Sequence, residues 1–151
     1  VAADPGEPRE LWCGLNDEAD LLAELIPGAV NVKGSMTPEE KARELLAFAD
    51  GDTRVLITKP SLAAFGLNWQ HCARVAFVGL SDSYEAYYQA IRRCFRYGQR
   101  RVVEVHVVLS ELEDQIAQNI RRKESEASAI TGDLVAAMQS ARINNQGRQS
   151  A

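Results

Sequence analysis

The chain has 151 residues, 46% of them apolar and 25% charged, and a formal net charge of −4. That length suffices for one domain with a sizeable core and is short for two. The composition excludes disordered and fibrous classes, and the longest apolar runs fall far below the roughly 20 residues of a membrane-spanning helix.

The acidic balance gives no bulk attraction to nucleic acid, yet charge is unevenly placed: five of the ten residues from Arg92 to Arg101 are arginine. The chain opens at Val1 without a basic-then-apolar leader, so we expect a fragment or processed piece of a cytoplasmic protein. Cys13, Cys72 and Cys94 are widely spaced and form no Cys-x-x-Cys pair. They are expected as reduced thiols in or near the core, with no metal site.

Residues 1–9, rich in proline, glycine and acid, read as a linker. Leu11–Leu15 reads as a short buried strand, stopped by a helix cap at Asn16-Asp17. Leu21, Leu22, Leu25 and Ile26 share one helical face, and Pro27-Gly28 ends that helix. Ala29–Val32 is a second short strand. Thr37-Pro38-Glu39-Glu40 is a capping box with proline at the first helical position, opening a helix that Asp50-Gly51-Asp52 closes. Arg54–Thr58 is apolar enough to be a strand buried on both faces. An irregular stretch, Lys59–Gln70, leads to a strand at Val75–Val78. A helix capped by Asp82 or Ser83 then runs to about Phe95, followed by a strand at Val102–Leu109. Ser110-Glu111-Leu112-Glu113 opens a charged helix to about Ser128, with Leu112, Ile116 and Ile120 as a narrow apolar stripe expected to pack on the domain's own sheet. A weaker helix over 133–142 and a disordered polar tail from Asn144 complete the reading. Strand–helix alternation with short apolar strands argues for a mainly parallel sheet covered by helices on both faces.

The segment that carries chemistry is Gln89-Ala90-Ile91-Arg92-Arg93-Cys94-Phe95-Arg96-Tyr97-Gly98-Gln99. On a helix, Gln89, Arg93 and Arg96 stand at i, i+4 and i+7, along one face. Stacking like charges there costs a few tenths of a kcal/mol, whereas guanidinium forks match phosphate oxygens in charge and shape. The alternative is a solvated basic helix end. The run closely resembles motif VI of superfamily 2 helicases, above all the Gln-Ala-x-x-Arg-x-x-Arg-x-Gly-Gln form of Swi/Snf-type translocases. Arg92 departs from that pattern, since relatives carry glycine or aspartate there. Thr58-Lys59-Pro60-Ser61 through Phe65-Gly66-Leu67-Asn68 resembles motif V, though two residues longer and without its paired glycines. Leu11–Leu25 resembles motif IV, and Val32-Lys33-Gly34-Ser35 the family's short strand and Gly-Ser/Thr turn. The wording Gly-Leu-Asn-Trp-Gln-His-Cys is similar to helicases of phage or prophage type.

The resemblance implies a three-layer RecA-like lobe over residues 10–110, a helical extension over 111–143 and a disordered tail over 144–151. It implies arginine fingers at Arg93 and Arg96, and Gln89 at the phosphate or attacking water. It places Gly66 and Asn68 near the nucleotide ribose, and Thr58, Lys59, Gly34 and Ser35 on a nucleic-acid backbone, for which DNA is favoured and RNA stays open. Trp69 is either a DNA contact or a core wedge. His71 and His106 have no companions at metal-ligand spacing, and Tyr84, Tyr87 and Tyr88 are expected against the sheet. No Gly-x-x-x-x-Gly-Lys-Ser/Thr loop occurs in the sequence, so ATP and its Mg2+ would be held mainly by an N-terminal ATP-binding lobe. Two rival expectations stand beside a helicase: a duplex-DNA remodeller that does not separate strands, and a catalytically silent docking module.

Overall fold

Strand β1 (Arg9–Cys13) lies at the centre of the domain because its side chains are buried on both faces of the sheet. The computed structural model describes residues 6–62, 67–79, 83–109 and 114–148, with 114 and 134–148 as backbone alone. The remaining elements are α1 (Asn16–Leu25), β2 (Ala29–Asn31), α2 (Pro38–Asp50), β3 (Val55–Thr58), β4 (Arg74–Val78), α3 (Tyr84–Cys94), β5 (Glu104–Val108) and α4 (Asp114–Arg148). The strands form one five-stranded sheet in the order β2-β3-β1-β4-β5, every pair parallel. In register, Arg9 meets Val55 and Arg74 at one rim, while Trp12 meets Thr58 and Phe77 towards the other.

Period-two alternation sorts β1 and β3 onto two cores. Leu11, Cys13, Val55 and Ile57 face α1, packing with Ala19 and Ile26. Trp12, Leu56, Val75 and Phe77 face the other way, joining Leu45 and Phe48 of α2 and Ala90 and Cys94 of α3. The fold is therefore the expected three-layer α/β sandwich. Phe48 meets Trp69 edge-to-face at 5.4 Å, and Trp12 lies 6.1 Å from Trp69. Burying each such aromatic contributes about 2–3 kcal/mol, so these rings dominate the larger core.

Local signals act as their chemistry dictates. The Thr37 hydroxyl accepts from the Glu40 N–H at 3.2 Å, and the Glu40 carboxylate accepts from the Thr37 N–H at 2.8 Å. Gly51 ends α2 in a left-handed conformation, φ 88°, which suits a residue with no Cβ. At α1 the cap differs from expectation. Leu15 precedes the first helical residue Asn16, and its N–H is satisfied by the Glu18 carboxylate at 2.9 Å. All three cysteines are free and buried, as the sequence predicts.

The C-terminal region departs from the sequence reading. One continuous helix, α4, replaces the two expected segments and runs through 144–148. Gly132 weakens a helix interior by about 1 kcal/mol without breaking it, and the Thr131 hydroxyl donates to the Ala127 carbonyl at 2.9 Å within the helix. Ala117 and Ile120 are buried and α4 contacts α3; Leu112 and the 110–113 capping box lie outside the described residues. Tyr87 packs on Phe77 at 4.8 Å. Tyr84 and Tyr88 instead stack on each other and border a groove beside α4.

Candidate functional site

A parallel sheet has two chemically different rims, and the chain sends its candidate residues to both. Helix α3 starts at Ser83, whose hydroxyl accepts from the Ala86 N–H. It runs back across the sheet until Cys94 donates its thiol to the Glu10 carboxylate at 3.2 Å. Glu10 is the second residue of β1, so Arg93 and Arg96 arrive at the amino rim of the sheet. The stretch after β3 makes the same journey, from Thr58 at the carboxyl rim to Trp69, whose N–H donates to the Arg93 carbonyl at 3.1 Å. That bond makes exposed Asn68 and half-buried Arg93 neighbours. Gly66 lies outside the described residues. Gln89, exposed, stands about one turn of α3 before Arg93.

Arg93 lies over the Trp69 ring, its guanidinium carbon 5.6 Å from the ring centre. Burial pulls this guanidinium below the ordinary arginine value; the Glu10 carboxyl opposes that pull and the charge of Arg96 adds to it. The two arginine charges therefore sense each other at one rim, and a planar, permanently charged fork is retained. Arg92, about 100° around the helix, is occupied differently: its guanidinium lies 5.8 Å from the Tyr88 ring centre and 5.9 Å from that of Phe95.

The carboxyl rim collects the second set. Gly34 and Ser35 are exposed just beyond β2, and Lys41 donates to the Gly34 carbonyl at 2.8 Å. Lys59 and Gly34 border one small recess with Asn16, Asn31 and Lys33. Lys59 also borders a cleft of about 250 Å³ with Gly14, Ser61, Phe77 and Tyr87. This is the rim at which open parallel sheets take ligands.

Two expectations need correction. Trp69 is 0% exposed and wedged among Trp12, Phe48 and Arg93; it is the core wedge, and its ring is not presented to DNA. Thr58 is also 0% exposed. Its hydroxyl turns back to the Val32 carbonyl at 3.5 Å, so the side chain is not offered to a ligand, while Lys59 beside it is partly exposed.

Gln99 and Gly98, which the sequence shows as the close of the arginine run without a role of their own, organise the arginine end. Gln99 donates from Nε2 to the carbonyls of Gln70 (2.8 Å), Cys94 (3.2 Å) and Cys72 (3.3 Å), and its Oε1 accepts from the Arg101 N–H at 3.0 Å. It ties the last carbonyl of α3 to the segment leading into β4. Gly98 turns at φ 97°, where an added Cβ would sit 3.2 Å from the Gln70 amide, and Gln70 itself donates to the Tyr97 carbonyl. The signal for Gln99 was its place at the end of the arginine run. Glu10, buried in a central strand, gave no signal.

The model for the helicase conserved C-terminal domain matches residues 14–98, more than half of the chain. The chain belongs to the helicase C-terminal domain family. This helicase lobe is also similar to solved structures. The C-terminal part of the Fun30 ATPase domain superposes with a TM-score of 0.68 at 20% identity, covering 80% of this chain and 41% of that one. The S. cerevisiae Dbp5 C-terminal domain, a variant bound to a Gle1 variant and IP6, gives 0.63 at 17% identity, covering 78% and 70%. At such identities the likeness shows the RecA-like lobe fold. The helicase lobe thus spans about two-fifths of the Fun30 chain. No curated protein matches the sequence. Among its described residues, no helix is long and apolar enough to cross a membrane.

Proposed function

We propose that this chain is the second motor lobe of an ATP-dependent nucleic-acid helicase acting on DNA, working with an N-terminal ATP-binding lobe. The observation that carries the reading is the gathering of Arg93, Arg96 and Asn68 at one rim of the sheet, with Gly34, Ser35 and Lys59 at the other. The first set suits a nucleotide phosphate and sugar. A half-buried guanidinium on an aromatic wall, beside a second arginine, is a preorganised anion site. ATP with Mg2+ supplies the transferable phosphoryl group, and the residues here can meet one side of it. The second set presents small residues and an ammonium group to a sugar–phosphate backbone, contacts that position without reading sequence. Opening and closing of the two lobes would alternate the grip at the carboxyl rim.

The test is turnover in the two-lobe protein. Arg93→Ala and Arg96→Ala are expected to lower nucleic-acid-stimulated ATP hydrolysis by about 10³-fold, in kcat rather than KM, because a finger acts on charge developed in the transition state. Arg92→Ala, which removes a guanidinium engaged with Tyr88 and Phe95, should cost several-fold at most. If all three behave alike, the arginines form a general basic patch and the assignment fails. The Gln-Ala-x-x-Arg-x-x-Arg-x-Gly-Gln wording also favours a second reading, translocation along duplex DNA without strand separation. Displacement of a triplex strand without unwinding of a forked duplex would select it. The docking-module reading requires no loss of turnover from either finger substitution.

A further inference from the structure

Glu10 is 0% exposed in the central strand, on the face where Trp12, Leu56 and Val75 make the core. Period-two alternation calls for an apolar residue here, and burying a carboxylate is strongly unfavourable unless it is well paired. Its own partners do not offset that cost. Oε2 accepts from the Cys94 thiol at 3.2 Å, a weak donor, and Oε1 has no hydrogen-bond partner among the described residues.

What Glu10 does meet is the field of Arg93. The residue after Arg93 is the thiol donor to Glu10, so the carboxyl lies directly beneath the last turn of α3. Arg93 is then framed on three sides. The Trp69 N–H fixes its carbonyl at 3.1 Å, the Trp69 ring lies 5.6 Å under its guanidinium, and the Glu10 carboxyl attracts it from the core. We propose that Glu10 is a positioning residue for Arg93, its carboxyl steering the guanidinium across the Trp69 ring so that the outward edge of the fork is set for a phosphate.

This rests on Arg93 meeting phosphate, as proposed above. The frame explains a carboxyl that packing alone would replace with valine or leucine, as outer-shell acids orient catalytic groups elsewhere. Burial pushes the Glu10 carboxyl well above its ordinary value, and the Arg93 charge and the Cys94 hydrogen bond pull it back. The Cys94 thiol is pushed up by its hydrogen bond with Cys72 and by burial. It therefore remains protonated, the form that donates to Glu10.

The experiment is a double-mutant cycle on nucleic-acid-stimulated ATP turnover in the two-lobe protein. Glu10→Gln keeps the side-chain shape and replaces the ionisable carboxyl with a neutral amide. It is expected to lower kcat by about 10-fold while KM for ATP moves by less than about 2-fold, the signature of misplaced geometry. In an Arg93→Ala background the same change should alter the residual turnover by less than about 2-fold, because the group it positions is gone. Glu10→Asp, which keeps the carboxyl and shortens the reach, runs the same cycle if the glutamine variant does not fold. Equal fold losses in both backgrounds, or a loss confined to KM, overturn the inference. If Arg93→Ala itself leaves turnover intact, the finger assignment falls and this inference falls with it. If that variant is crippled and the cycle is additive, this inference alone falls.

Discussion

Replacing Gln99 with leucine keeps the approximate volume of the side chain and removes every polar bond it makes. Its two Nε2 protons are shared among three carbonyls, with the Gln70 bond at 2.8 Å the best formed, and Oε1 takes the Arg101 N–H at 3.0 Å. Counting two donated bonds and one accepted bond at about 1 kcal/mol each gives roughly 3 kcal/mol. The site is only partly buried, so water recovers some of this and the expected loss is about 2 kcal/mol. For a chain of this size that corresponds to a fall in Tm of about 4–8 °C, read by circular dichroism on the purified chain. Gln99→Glu should be at least as damaging, since it removes both donors and sets a carboxylate against three carbonyl oxygens. A shift below about 1 °C for the leucine variant would refute the view that this amide ties α3 to the segment entering β4.

Thr37→Ala removes the hydroxyl that accepts from Glu40 at 3.2 Å and should cost about 1 kcal/mol in urea denaturation; an unchanged midpoint would mean that α2 does not depend on its capping box. Glu10 predicts a pH dependence. Its folded carboxyl is raised above the ordinary value of 4.5, so the folded state binds the proton more tightly than the unfolded one. The stability linked to that proton is fully present below the unfolded value and is lost as pH rises through the folded one. Glu10→Gln lacks this loss and should gain on the native sequence between pH 4 and pH 8. A difference in stability that stays flat across that range would contradict it.

Much of the fold was readable because its signals are local. The Thr37 box and the apolar run of β3 depend on neighbours a few residues away, and each appears where the sequence put it; the Gln89 and Arg93 positions fall on α3, while Arg96 lies past its end. Trp69 was ambiguous for a physical reason. It sits in an irregular stretch with no period, so nothing nearby says which way the ring points; the return of that stretch beneath α3 decides it. Thr58 was misleading because it is the last residue of a strand buried on both faces, and its hydroxyl finds an acceptor at Val32, just beyond β2. Glu10 was illegible because a carboxylate in a strand normally marks an exposed position. Its partner Cys94 is 84 residues away, beyond the reach of any local pattern. The continuity of α4 across Gly132 escaped because one glycine weakens a helix by too little to end it.

Strand β5 bears on how this molecule behaves in company. It is the outermost strand on its side of the sheet, and it sits within Val102-Val103-Glu104-Val105-His106-Val107-Val108-Leu109, eight residues without proline or glycine. Six of the eight are aliphatic, and Val102 and Val108 are largely exposed. Such a run on an unpaired edge is a template for strand addition by other chains. Glu104 and His106 interrupt it, both on the outer surface, with Glu104 held by Arg74 at 3.4 Å and facing His106 at 4.0 Å. These two side chains act as gatekeepers. They impose desolvation on any strand that would pair there, so resistance to strand addition along this edge rests on two polar side chains.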